Sequence, residues 1–500
     1  MTHKYDFEFA ASSQKIMLPS FRKLYYGGGW HTPIGGGFRA VHNPATGSEL
    51  CKIAEADERD VPLIVDAAKS GFQQWRQVKP LERARVLRKM AFILRCKLDE
   101  LALLDALDCG NPVRVLREDV EAAAVLLDFF AGLVTEMKGS SIPMGPGQFN
   151  FSIREPHGVV ARIIPFNHPL LTCAGKMAAP LAAGNAVIIK PSEQSPLSAL
   201  RLAELFDGLL PPGVFNVISG GRTVGAALTQ HPGVSMVTVV GSVPTGRAVM
   251  RAAAETIKPV LLELGGKNAL IALPDANSDQ VADAVVRGMN FEWCGQSCGS
   301  TSRAFIHSDI YEDVIEKVAS RITRFIPGLP SDPETAMGAL ISQAQLNRVE
   351  YHVEQAKAAG ARLIAGGASP TDESLKNGWF FEATVLADVT MDMEIARDEI
   401  FGPVLSIIKW DDKSELIRQV NQLDLGLTCS IWTDSLQDAN QLAQDVEAGF
   451  VWVNDVAKHF LGAPFGGVKQ SGIGREECLG ELLAFTREKN IHVNFASKTM

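Results

Sequence analysis

The stretch FEWCGQSCGSTSR, residues 291–303, sets two thiols four positions apart, Cys294 and Cys298, and wraps the second in glycine, serine and threonine. A thiolate is a strong nucleophile and a metal ligand, and small neighbours leave room for another molecule to approach it. A zinc site on these two cysteines is weakly supported, because no second Cys/His pair follows at ligand spacing. A nucleophile needs a base and a group that stabilises developing charge. The stretch alone does not say which thiol has them, so the partners must come from elsewhere in the chain.

Three places offer such partners. In LELGGKN (262–268), Glu263 ends an apolar run just before two glycines. A carboxylate partly desolvated there gains a raised pKa suited to general-base work; the plainer alternative is a strand-end glutamate paired with a lysine. Lys190 closes AVIIK, with Glu193 three residues on. An ammonium and a carboxylate so placed suit the hydroxyls of an adenosine ribose, against the simpler reading of a solvated strand-end lysine. Gly241-Ser242 precedes a helical pattern whose N-terminus would accept a phosphate. The G-x-G-x-x-G fingerprint and the P-loop are both absent after the first strand of this series.

These residues need a scaffold. Five hundred residues suggest two or three domains, and 46% hydrophobic with 21% charged residues is ordinary for a folded protein with sizeable cores. With 48 basic against 57 acidic residues and no basic block, a nucleic-acid partner is not expected. No apolar run reaches membrane-spanning length, and the N-terminus lacks the apolar core of a signal peptide. The eight scattered cysteines fit reduced thiols. A cytoplasmic protein without a membrane partner is the expectation.

The helical patterns near the start run from Asp60, read as an N-cap, then from about Leu81 to Asp108, then from Arg114 to Lys138. From residue 157 the texture changes. The runs VVARII, AVIIK, VFNVIS, SMVTVV and PVLLEL alternate with helical stretches, which predicts a parallel sheet covered on both faces. A second α/β series follows residue 300, so FEWCGQSCGS falls at the junction of two domains, a common place for an active site. Residues 140–158 and the tail near 491–498 read as extended segments outside both series.

PFNHPL, KPSEQSP, GSVPTG, LELGGKN, GQSCGS, EIFGPV and PFGGVKQSGIGRE occur in one order. Together they resemble the NAD(P)-dependent aldehyde dehydrogenase superfamily, of the hydrolytic, non-CoA-acylating type, over nearly the whole length. The resemblance implies an α/β fold of two doubly wound domains plus a small β oligomerisation element. Residues 1–139 and 159–264 would bind NAD, residues 265–475 would form the catalytic domain, and 140–158 with 476–500 the oligomerisation element of a homodimer or homotetramer. It places the nucleophile on Cys298, the general base on Glu263, the oxyanion-stabilising amide on Asn167 and a proton-moving carboxylate on Glu476. Cofactor contacts carry onto Ile164, Pro165, Phe166, Lys190, Glu193, Gly241, Ser242, Leu264, Glu399 and Phe401. Cys294 matches no catalytic position.

The implied reaction is oxidation of an aldehyde to an acid through a thiohemiacetal and a thioester on cysteine, with Glu263 activating water. Glu193 near the ribose would repel a 2′-phosphate and so favours NAD over NADP. The chain departs from the family pattern on the substrate side. His168 stands where an aromatic residue is usual, Thr172 and Gly175 are small, and Glu292 replaces an apolar residue. With Ser297, His459 and Phe465 they predict a roomy tunnel for a bulky or aromatic aldehyde. A carboxylate-bearing semialdehyde, met by Lys458 or His459, is the alternative. A catalytically silent binding protein and a thiol esterase without redox chemistry are the readings from other classes.

Overall fold

The computed structural model describes residues 17–495. The parts of the two terminal segments outside that span, including the end of the tail at 496–498, lie outside the described residues. Five parallel strands form the centre of the first sheet, in the order Phe215–Val217, Ala186–Lys190, Val159–Ile163, Met236–Gly241 and Val260–Leu264. Their residues are almost all buried, because helices cover both faces. The strand order reverses between Val159–Ile163 and Met236–Gly241. A reversal of this kind opens a crevice at the carboxyl ends of the two strands, where nucleotides bind in such sheets. Leu24–Tyr26 and Gly29–His31 add an antiparallel edge on one side, and Gly472–Ile473 adds another beside Val260–Leu264. Gly472–Ile473 thus joins the first sheet from within the span that the sequence reading gave to the second domain.

The second sheet runs Arg362–Ala365, Thr384–Ala387, Val404–Trp410, Arg303–His307, Ala269–Ala272, Thr428–Trp432 and Phe450–Val453, with its own apolar core. All its pairings are parallel except that of the edge strand Arg362–Ala365. A third, antiparallel sheet is made from Ser141–Ile142, Gln148–Pro156 and Thr486–Asn494. The chain passes from the first sheet to the second between Leu264 and Ala269, so the amino ends of second-sheet strands face the carboxyl ends of the first.

Two helical expectations change. Residues 81–108 form two helices, Pro80–Cys96 and Leu98–Cys109, because Lys97 leaves helical geometry at φ −115°. Asp60 begins the helix Asp60–Trp75 but does not cap it. Its carboxylate accepts instead from the N–H groups of Ile34 (2.9 Å) and Asp57 (3.0 Å) and ties the preceding loop to the helix.

Candidate active site

A cleft of about 400 Å³ opens where the two sheets face each other. Its size suits a small organic substrate. Cys298, Glu263, Asn167 and Glu476 all line it, although they come from four distant parts of the sequence. His168, Thr172, Ser297, His459 and Phe465 line it as well.

Cys298 lies on the loop that leads into strand Arg303–His307, partly open to the cleft. The loop is bent by left-handed backbone at Asn290 (φ 55°), Cys294 (φ 55°) and Gly295 (φ 65°). A side chain at Gly295 would meet the carbonyl oxygen of Gly402 at 2.1 Å, so the close approach of these two loops requires glycine. Asn268 fixes the other side: its Nδ2 donates to the carbonyls of Cys298 (2.6 Å) and Ser300 (3.0 Å), while its Oδ1 accepts from Thr428 N–H (3.0 Å). Burial, together with the nearby carboxylates of Glu263 and Glu399, pushes the Cys298 thiol pKa up. Cys294 is buried, and its Sγ contacts the Ala339 carbonyl at 3.6 Å, away from the cleft.

Glu263 sits on Val260–Leu264, buried, and its Oε1 has no hydrogen-bond partner among the described residues. Burial and then Glu476 raise its pKa well above the carboxylate range. Asn167 donates one N–H to the Gln296 carbonyl (2.7 Å), leaving its second N–H for a ligand. The loop that carries Asn167 is held from behind. Asn111 donates to the Asn167 carbonyl (2.8 Å), and the buried Asp105 accepts from Leu170 N–H (3.0 Å).

Glu476 belongs to a buried ionic cluster. Its carboxylate meets Lys176 at 2.9 Å and Arg162 at 3.3 Å, and Lys176 also reaches Glu477 at 3.4 Å. Burial alone would lower the Lys176 pKa, but Glu476, Glu477 and Glu481 outweigh it and raise it. At Glu477 burial opposes ionisation, yet Lys176 and His459, 3.0 Å away, pull the pKa down to about 2.

The residues expected to hold a dinucleotide line the crevice of the first sheet and its rim. Lys190 Nζ meets Glu193 at 3.3 Å, and Ile164 N–H donates to the Lys190 carbonyl (3.1 Å). Gly241 and Ser242 precede the helix Val243–Ala254, which Ser242 caps. Phe401 (φ 58°) packs edge-on against Phe166 at 5.7 Å, and Pro165 reaches the cleft. Glu399 accepts from Gly266 N–H (3.2 Å), and a Cβ on Gly265 would lie 1.9 Å from its carboxylate. Leu264 donates its N–H to Ser471 O (2.8 Å). A carboxylate beside the Lys190 ammonium, a capped helix start and glycines that keep the crevice open fit a dinucleotide.

Three expectations on the substrate side change. Gly175 is absent from the cleft wall: a Cβ there would strike Leu126 Cδ1 at 2.7 Å, so it admits close packing against helix Val113–Gly132. It closes the π-helical turn Leu171–Gly175 and packs against Leu126 and Leu171, which line the cleft in its place. Glu292 pairs with Arg114 at 3.0 Å, and its neighbour Trp293 takes the place on the wall. Lys458 pairs with Asp455 at 2.8 Å and does not line the cleft. The sequence reading missed Asp119, Trp452 and Glu477, all of which do line it.

Residues 31–491 match the aldehyde dehydrogenase family. The chain is 48% identical over 490 residues to aldehyde dehydrogenase tropH of Talaromyces stipitatus, covering 96% of this chain and 95% of that protein. The chain belongs to the aldehyde dehydrogenase family. Its fold agrees with that of solved relatives. An aldehyde dehydrogenase from Bacillus cereus, in its NAD+ complex, superposes with a TM-score of 0.92 at 38% identity, over 95% of this chain and 97% of that one. PnpE from Pseudomonas sp. WBC-3, in complex with nicotinamide adenine dinucleotide, gives 0.93 at 37%, over 95% and 98%. Betaine aldehyde dehydrogenase from Staphylococcus aureus, with NAD+, gives 0.92 at 31%, over 95% of each chain.

The ionic cluster of this aldehyde dehydrogenase yields a stability test. Lys176→Met leaves Glu476 and Glu477 without their shared cation, at an expected cost of about 3–5 kcal/mol near neutral pH. Glu477 has a depressed pKa, so its contribution is full above the ordinary value of 4.5 and fades as pH falls towards about 2. Denaturant midpoints of the two proteins should therefore differ most near pH 7 and converge in acid.

Proposed function

We propose that this enzyme oxidises a bulky or aromatic aldehyde to its carboxylic acid with NAD, using Cys298 as nucleophile. The observation that carries this reading is the convergence of Cys298, the partnerless carboxylate of Glu263 and the free N–H of Asn167 on one cleft. The Cys298 thiol loses its proton and attacks the aldehyde carbon, forming a thiohemiacetal. The oxyanion accepts from the second Asn167 N–H and from the backbone N–H of Cys298, donors that are already in place before charge develops. Lys190, Glu193, the Ser242 helix start and Glu399 would hold NAD in the crevice, and the bound cofactor would supply the hydride acceptor. Loss of hydride leaves an acyl thioester on Cys298. Glu263 then takes a proton from water, the hydroxide attacks the thioester, and the acid departs with the thiol restored. Glu476, with Lys176, passes the proton away from Glu263.

The cleft chemistry favours a neutral substrate over a carboxylate-bearing semialdehyde. Glu118, Asp119, Glu263, Glu476 and Glu477 line it against the ammonium of Lys176, the one lysine among the described lining residues, and Lys458, the cation that would meet a carboxylate, is engaged elsewhere. Assembly as a homodimer or homotetramer is supported by the strand Thr486–Asn494, which pairs with Gln148–Pro156 on one side and among the described residues has no strand on its other edge, open to a second copy. Phe149 and Ile153 expose apolar surface on the same sheet. Among the described residues no helix is long and apolar enough to cross a membrane.

Two tests separate the steps. Cys298→Ala should abolish oxidation and keep NAD binding, whereas Glu263→Gln should give a burst of about one NADH per site followed by turnover slowed at least ~10²-fold. The raised Glu263 pKa also places the acid limb of wild-type kcat above the usual carboxylate range, with the rate rising as the group ionises. A Glu263→Gln enzyme with no burst, seen by stopped-flow absorbance, contradicts the deacylation role.

Cofactor choice gives a further test. Arg39 is paired with Glu55 and senses the charge of Glu193. Wild-type kcat/KM should favour NAD over NADP by at least ~10-fold. Glu193→Ser should narrow that gap, because Lys190 and Arg39 then face a 2′-phosphate without the opposing carboxylate. Equal kcat/KM for both cofactors in the wild type would refute the assignment.

A further inference from the structure

One polar side chain on the cleft wall that the proposed reaction does not use is His168. Its Nδ1 lies 2.7 Å from the buried carboxylate of Asp119, on helix Val113–Gly132. Thr172 Oγ donates to the His168 carbonyl at 2.6 Å, so the backbone of the residue is fixed as well. The indole of Trp293 packs beside the imidazole, with ring centres 5.6 Å apart and planes tilted by 43°. The second ring nitrogen, Nε2, has no hydrogen-bond partner among the described residues, while the ring itself lines the cleft. Its near neighbours there include the apolar Leu171, Leu126 and Trp293.

A polar nitrogen braced by a buried acid and left without a partner on the cleft wall imposes a chemical requirement on what fills the cleft. A purely hydrocarbon substrate would strip water from Nε2 and offer nothing in return. A carboxylate would meet Asp119, and Glu118 beside it on the same helix. A hydroxyl satisfies the site in either charge state of the ring. It donates to Nε2 when Asp119 holds the only ring proton on Nδ1, and it accepts from Nε2–H when both nitrogens are protonated.

We propose that the physiological aldehyde carries a hydroxyl group, phenolic on an aromatic substrate, and that His168 positioned by Asp119 receives it. The inference rests on the reading of this cleft as the aldehyde site. His168 is then a specificity residue that touches substrate, and Asp119 is a positioning residue that acts through it.

The test compares kcat/KM of the full-length enzyme with NAD for benzaldehyde, its three monohydroxy isomers, the matching methoxy isomers and 4-carboxybenzaldehyde. At least one hydroxy isomer should exceed both benzaldehyde and its methoxy counterpart by about tenfold, since a site built to bond a hydroxyl rejects analogues without it. His168→Phe, similar in shape, should bring that hydroxy-to-unsubstituted ratio close to one. Asp119→Asn should lower the ratio, and should raise KM for the hydroxy isomer more than it changes kcat. A wild-type enzyme that prefers no hydroxy isomer overturns the inference even if His168→Phe does not fold, and so does a ratio unchanged in His168→Phe. Failure to oxidise any aldehyde in the panel would instead count against the proposed function itself.

Discussion

The active site depends on one short crossing of the chain, residues 263–269, where it leaves the first sheet and enters the second. Glu263 lies on the last turn of pleat in Val260–Leu264, and Asn268 immediately precedes Ala269–Ala272. A buried hydroxyl locks the crossing: Ser471 Oγ donates to the Gly265 carbonyl (2.8 Å) and accepts from Gly426 N–H (2.9 Å), while Leu264 N–H bonds to Ser471 O (2.8 Å). Because one fixed segment carries the carboxylate of Glu263 at one end and the Asn268 amide that holds the Cys298 loop at the other, Glu263 and the Cys298 loop share one frame. Gly265 lets Glu399 approach the same segment, where its carboxylate accepts from Gly266 N–H, and Gly266 leaves room for the Asn268 amide. Any shift of one sheet against the other would separate these groups.

Charge burial shapes what that frame can do. The thiol and the carboxylate of Glu263 are both disfavoured as anions by loss of water, and the Glu263 carboxylate further raises the thiol's cost of ionising. Ionising both at once is therefore unfavourable, which suits a sequence in which the thiolate acts first and the base acts only after the sulfur has become a neutral thioester. The ammonium of Lys176 partly offsets the negative surplus. It does so from within a cluster of Glu476, Glu477, Glu481 and Arg162, whose several ion pairs hold it in place.

Much of this was legible in the sequence, and the reasons for the rest are physical. The continuous buried runs such as AVIIK announced a parallel sheet because both their faces are covered, and the motifs around Cys298, Glu263 and Asn167 are long enough to carry residue assignments. The substrate wall was less legible, because it depends on where side chains point after packing. Gly175 packs against Leu126 and Leu171, which form the wall in its place. Glu292 pairs with Arg114 while Trp293 lies on the wall, in a tight turn bracketed by left-handed Asn290 and Cys294. Asp119 did leave a signal: a carboxylate four residues from Val115 on the apolar face of a helix is a buried polar group that needs a partner, and His168 is that partner.

The most direct test of the account is the chemical fate of Cys298 during turnover. Enzyme mixed with an aromatic aldehyde and NAD, quenched in acid within the first turnovers and analysed by intact mass and peptide mapping, should carry one acyl group. Its mass should be that of the aldehyde less one hydrogen, as a thioester on the peptide that contains Cys298. NADH formation with no acyl adduct, or with the adduct on Cys294 or another residue, would contradict it.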